Sequence, residues 1–166
     1  MNFRTRGAST PFACVVLLTF ALAAPLSGEA RAQTVDPSSG IVRVKSAYSV
    51  QETVTRIKKD VADKGIMWFS EVDQQQLAAN AGITLRPSTL LTFGNPPLGT
   101  LFIKANPVAG LDWPVRVLVL EDENGQVWAA YTDFGYIARR HNISGRDAES
   151  FAKASGVIAS ITSSVR

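Results

Sequence analysis

The stretch VRVLVLEDENGQVWAAY, residues 115–131, decides the fold class. Val115 to Leu120 is a near-continuous apolar run rich in β-branched side chains. Such a run reads as a central strand covered on both faces, since a half-covered strand alternates apolar with polar. Asp122-Glu123-Asn124-Gly125 then reads as a hairpin connection, because an Asn-Gly pair accepts the positive φ that tight hairpins demand. Gln126 to Tyr131 is the return strand. An antiparallel sheet follows.

Toward the N-terminus, Ala105 to Asp112 reads as a Pro-interrupted loop. Two strands are expected before it, around Thr89–Phe93 and Gly99–Lys104, joined by a turn at Gly94-Asn95-Pro96-Pro97-Leu98. Asp73 with Gln76 caps a short helix closing at Gly82, and Ile66 to Phe69 reads as the strand before it. Ser49-Val50-Gln51-Glu52 is a capping box opening a helix with Val50, Val54, Ile57 and Val61 on one face, ended by Gly65. Val42 and Val44 alternate with Arg43 and Lys45, as in a half-buried strand. Beyond the hairpin, Asp133 to His141 reads as a short helix followed by Asn142, a residue tolerant of the left-handed region. Ser144 with Asp147 starts the last helix, with Ala148, Phe151, Ala152, Ser155, Ile158 and Ala159 along its apolar stripe. Consecutive strands beside segregated helices predict an α+β fold: a mostly antiparallel sheet with helices on one face.

The 166 residues, 46% apolar and 19% charged, suit one globular domain. Residues 1–32 read as a signal peptide. Arg4 and Arg6 form a positive start, Phe12 to Ala24 an apolar stretch, and Ala30-Arg31-Ala32 a small-residue cleavage site before Gln33. The apolar run, broken by Pro25, is about 15 residues long, short of a bilayer span. Export to the periplasm or beyond is expected, with no stable membrane anchor after cleavage. Residues 33–40 read as a flexible leader and 41–166 as a single domain. The sole cysteine, Cys14, lies in the signal segment, which excludes thiol chemistry from the rest. Arg4, Arg6 and Arg31 face only Glu29 there, so cleavage removes most of the net charge of +3. Nucleic acid is not an expected partner.

No nucleophile elbow, dinucleotide fingerprint, Walker A or zinc-protease motif is present. His141 is the one histidine, so no metal and no cofactor is expected. Glu121 to Asn124 carries oxygens suited to calcium, but Gly125 and the flanking strands favour a solvated turn. Arg139-Arg140-His141 ends a helix, where cations complement the dipole, and arginine forks also suit planar anions. Asn95, Asn106 and Asp112 lie among prolines and glycines, where side chains tie down backbone groups or rim a pocket.

Several blocks stand in a familiar order: Phe93-Gly94-Asn95-Pro96, Gly99-Thr100, Asn106-Pro107, Gly110-Leu111-Asp112-Trp113-Pro114, Glu121-Asp122, Gly125-x-Val127-Trp128, Tyr131-x-Asp133 and Ala138-x-Arg140-His141. Together, over about Val42 to Ile161, they resemble the bacterial family known as domain of unknown function 302. The resemblance implies a TATA-binding-protein-like β-α-β4-α unit with extra helices, pairing as a homodimer, and implies no established activity. Two departures stand out. Asp73-Gln74 replaces the family's frequent Asp-His, and Asp133-Phe134 its frequent Asp-Pro. The first removes the partner for any two-histidine site.

The function expected is a non-catalytic, homodimeric module for a small-molecule ligand. Alternatives are a structural or partner-binding domain, and an envelope enzyme using Glu121 or Asp112 with His141 for acid–base chemistry. His141, Arg140, Tyr131 and Glu121 are the candidate ligand residues. Asn95, Asn106 and Asp112 are expected to hold the fold. His141, at a helix end, is expected to be removable with little effect on stability.

Overall fold

A computed structural model describes residues 33–166, apart from the side chains of 146–148, 150 and 151. Residues 1–32, expected to be a signal peptide, and the burial expected for Ala148 and Phe151 lie outside the described residues. Six strands form one sheet: β1 (Gln33–Asp36), β2 (Ile41–Lys45), β3 (Met67–Asp73), β4 (Ser88–Gly94), β5 (Val115–Glu121) and β6 (Val127–Thr132). Their order is β1-β2-β6-β5-β4-β3, and every pairing is antiparallel. The helices are α1 (Val50–Asp63), α2 (Gln74–Asn80), α3 (Pro96–Ala105), α4 (Phe134–Arg140) and α5 (Arg146–Ser163), with a 3-10 helix at Pro107–Asp112. This is the α+β architecture expected.

The 115–131 hairpin sits at the sheet's centre, with Val117 opposite Tyr131 and Val119 opposite Ala129. Asp122 folds the turn, accepting the N–H groups of Asn124 and Gln126 on Oδ1 and the Trp128 indole N–H on Oδ2. That donor set holds the Asp122 carboxyl below its ordinary range, Trp128 contributing most. One face of the sheet, carrying Val42, Val44, Leu91, Phe93, Val117, Val119 and Ala129, is buried against Val54, Ile57 and Val61 of α1 and Ile158 and Ile161 of α5. Ser49 Oγ accepts the Glu52 N–H, as the capping box requires. Glu52 does not reach back; its carboxylate pairs with Arg56.

Four expectations need correction. The run Gly99–Lys104 is not a strand but most of α3. Asn95 caps that helix by accepting the Leu98 N–H, and Pro96 and Pro97 occupy first-turn positions whose N–H groups would be orphaned anyway. Residues 33–40 are not a loose leader throughout: Gln33–Asp36 pairs with β2 as an edge strand. Asp36 fixes the return by accepting from Ser38 and Ser39, which lowers its pKa to about 2, and Gly40 turns at a φ of 69°. The loop before β5 winds as the 3-10 helix, capped by Asn106. Helix α5 begins behind Gly145, at a φ of 64°, and no side-chain cap bond closes it. Its buried stripe is Ala154, Ile158 and Ile161, with Val165 buried just past its end and Ala152 exposed.

The reading of β5 as covered on both faces is half met. Its outward side chains, Leu118 and Leu120, are only half-buried, and beside them lie Ile41, Leu90 and Ala130 of the neighbouring strands. Only strand and turn residues line this open face. At the sheet's β1 edge, Arg166 Nη2 donates to Gln33 Oε1 at 2.5 Å, and the Ala47 N–H donates to the Val165 carbonyl.

Candidate functional site

Two constellations stand out, one polar and one apolar. The polar one joins the 3-10 helix to the end of α4. His141 caps α4, and Asn142 beyond it takes the left-handed conformation with a φ of 53°. This turn buries His141, leaving its side chain 5% exposed, and sets Nε2 2.6 Å from Asp112 Oδ2. Asp112 is itself only 6% exposed, and Arg116 and Arg140 each approach its Oδ1 at 3.4 Å. Asn106 closes the junction: Oδ1 accepts the Val108 N–H while Nδ2 donates to the His141 carbonyl. A buried carboxylate thus meets three cationic or hydrogen-bonding groups at once, which is what burial of a charge requires.

The expected division of labour changes here. The leading expectation gives Asp112 to the fold and His141 to a ligand and pairs them only in the acid–base alternative, yet here the two form one pair. His141 is core, so the idea that its removal leaves stability untouched does not follow. Helix position suggested exposure; the turn after Arg140 folds the ring inward instead. A cleft of about 20 Å³ beside Asp112 and Arg116, against Phe134 and Ile137, has room for little more than a water. Asn95 caps α3 and Asn106 the 3-10 helix.

The remaining candidates do not converge on this pair. Glu121 lies at the end of β5, 3.8 Å from Arg86. Tyr131 is buried on the helix-covered face of β6, and burial pushes the phenol pKa up. Arg140 remains half-exposed over Asp112. No cluster of three or more metal-ligating side chains occurs among the described residues.

The apolar constellation went unread in the sequence. A cavity of about 230 Å³ opens between the end of β4 and helices α3 and α5. Its walls include Ile66, Phe93, Leu98, Val115, Phe134 and Ile158, and its polar lining side chains are Lys64 and Asn95. Phe93 is fixed from behind by Trp68, stacked at 6.1 Å. Leu98 of α3, the helix that Pro96-Pro97 starts, and Ile158 and Ile161 of α5 line the cavity together. Val115 and Phe134 separate it from the cleft beside Asp112, lining both.

The family model for a domain of unknown function, DUF302, matches residues 42–161. The chain belongs to the DUF302 family. A solved DUF302 structure, the uncharacterized conserved protein from Bacillus stearothermophilus, superposes with a TM-score of 0.69 at 16% identity, covering 76% of this chain and 98% of that one. The likeness is one of fold. Curated relatives include the fluoride-specific ion channel FluC 1 of Brucella suis biovar 1, 39% identical over 105 residues, or 63% of this chain and 41% of that protein. FluC 1 of Brucella abortus biovar 1 and FluC 2 of Brucella melitensis biotype 1 match equally, at 39% identity, with 39% of their length covered. This DUF302 chain therefore spans about two fifths of the curated relatives it matches. No helix among its own described residues is long and apolar enough to cross a membrane.

Proposed function

We propose that this DUF302 protein is an exported, non-catalytic, homodimeric module that holds a small apolar ligand between its sheet and helices. The observation that carries this reading is the cavity of about 230 Å³ walled by Phe93, Phe134 and aliphatic side chains. A concave, mostly apolar space with a few polar groups at one end is the usual form of a small-molecule site. The Asp112–His141 pair supports the non-catalytic part: it is sealed under two arginines, with no space beside it for a substrate. The homodimer draws support from the sheet's open face, where Leu90, Leu118, Leu120 and Ala130 lack a cover among the described residues.

Native mass spectrometry of protein purified from its own envelope tests the reading. The expected spectrum is a dimer of chains starting at Gln33 or within two residues of it, each carrying a small retained mass. An empty monomer overturns it. A second reading, a partner-binding domain, is favoured by the likeness to part of longer ion channels. An empty chain bound to another polypeptide in the same spectrum supports that reading over the first.

A further inference from the structure

Resting on the ligand-binding reading, we propose that the cavity takes an uncharged ligand of about nine non-hydrogen atoms whose one polar end is a hydrogen-bond acceptor, as in a medium-chain or arylalkyl alcohol. Size comes first. An apolar cavity of about 150 Å³ accommodates benzene, and the same ratio gives about nine atoms for the volume here. The flat Phe93 and Phe134 walls, with Leu98 and Ile158, offer such a body no polar partner.

The polar end follows from what Lys64 and Asn95 have left to give. Asn95 Oδ1 already accepts the Leu98 N–H, which leaves one lone pair there beside both Nδ2 hydrogens. Pro96 and Pro97 have no N–H, and the Gly99 N–H is taken by the Asn95 carbonyl, so the start of α3 presents no free amide to an anion. Lys64 donates one of three ammonium hydrogens to Asp60 Oδ1 at 2.6 Å and keeps two. Among the lining side chains, four donor hydrogens, two on Lys64 and two on Asn95, outnumber the one acceptor lone pair left on Asn95. Charge, however, is already balanced, because Asp60 neutralises Lys64. Lys64 also caps the C-terminal end of α1, where the helix dipole disfavours an added anion. An acceptor is welcome there; a full charge of either sign finds no counter-charge.

Isothermal titration with 1-octanol, octanoate and octylammonium, together with carbon-13 methyl spectra of Ile66, Leu98 and Ile158, tests this. 1-Octanol is expected to bind about tenfold more tightly than either charged analogue, since a head group with no counter-charge is penalised on desolvation. Val157→Trp, placed at the partly exposed lip of the cavity, is expected to abolish the methyl shifts while the protein stays folded. Lys64→Met removes the ammonium and leaves Asp60 unpaired. It is expected to weaken 1-octanol about fivefold, the equivalent of one hydrogen bond, and to raise octylammonium binding. Octanoate or octylammonium binding as tightly as 1-octanol overturns the proposed ligand class and leaves the cavity reading standing. Binding of none of the three, or binding unaffected by Val157→Trp, overturns both.

Discussion

Asp112 and His141 are a case where one side chain cannot be valued without the other. Removing the imidazole strands a carboxylate that is 6% exposed, and two half-exposed arginines at 3.4 Å compensate only partly. His141→Ala is expected to cost about 1–3 kcal/mol by urea unfolding, the penalty for an unsatisfied buried group. Asn106→Ala, which loses both the cap and the bond to the His141 carbonyl, is expected to cost about 1–2 kcal/mol in the same assay. Because these groups share one network, the double variant should cost less than the sum. Acid behaviour turns on another residue. The folded state depresses the Asp122 pKa, so its contribution is present above the unfolded value near 3.9 and fades as pH falls through the folded one. Asp122→Asn should therefore lower the melting temperature at pH 7, and the gap to the native protein should narrow as the pH falls below the unfolded value.

Helix α3 shows how little an apolar run says about its own geometry. Leu98, Leu101, Phe102 and Ile103 offer either a strand or a helix, and tertiary context decides. The deciding signal was local and present: Asn95 followed by two prolines is a helix start. Gly99 supplies the other half. A side chain there would collide with the Trp113 indole, so α3 can pack only if that position is bare. Gly99→Ala is expected to destabilise by about 1–3 kcal/mol through overpacking. Gly156 in α5 makes the contrast, since an added methyl group there meets nothing within 4 Å. Gly156→Ala should raise stability by about 0.4–1 kcal/mol by narrowing the unfolded ensemble. Thermal melts of the two variants check both signs. The 115–131 hairpin, the α1 cap and the Asn142 turn were legible because each depends on neighbours in sequence. The Asp112–His141 pair spans 29 residues, and the sequence offers it only as one acid–base alternative beside Glu121, because no neighbour relation sets so distant a contact. The cavity is a gap between α3 and α5, and a gap has no residue of its own to announce it.

For the whole molecule, the open sheet face is the ground for the proposed dimer. Leu118 and Leu120 stand where a solvated sheet would carry polar groups, and the half-covered β5 keeps the sequence of a fully covered strand. Arg43 and Arg116 lie along this face with Asp36 at its β1 end, so a two-fold related copy can set opposite charges across from one another. Light scattering at micromolar concentration is expected to give the dimer mass, and Leu118→Arg the monomer mass with an unchanged far-ultraviolet spectrum. A native monomer would show that the face is simply tolerated by water.

The bond between Arg166 and Gln33 has a topological meaning as well as an energetic one. It brings the two ends of the described body to a single point on its rim. A polypeptide that enters and leaves at one place can be spliced into a surface loop of another protein without prising that loop apart, and its own ends can be sewn together and reopened elsewhere. A circular permutant joining residue 166 to residue 33 through a short glycine-rich bridge, and newly cut at Gly125, should keep the same fold. For a body whose relatives carry its likeness inside much longer chains, this geometry makes it portable.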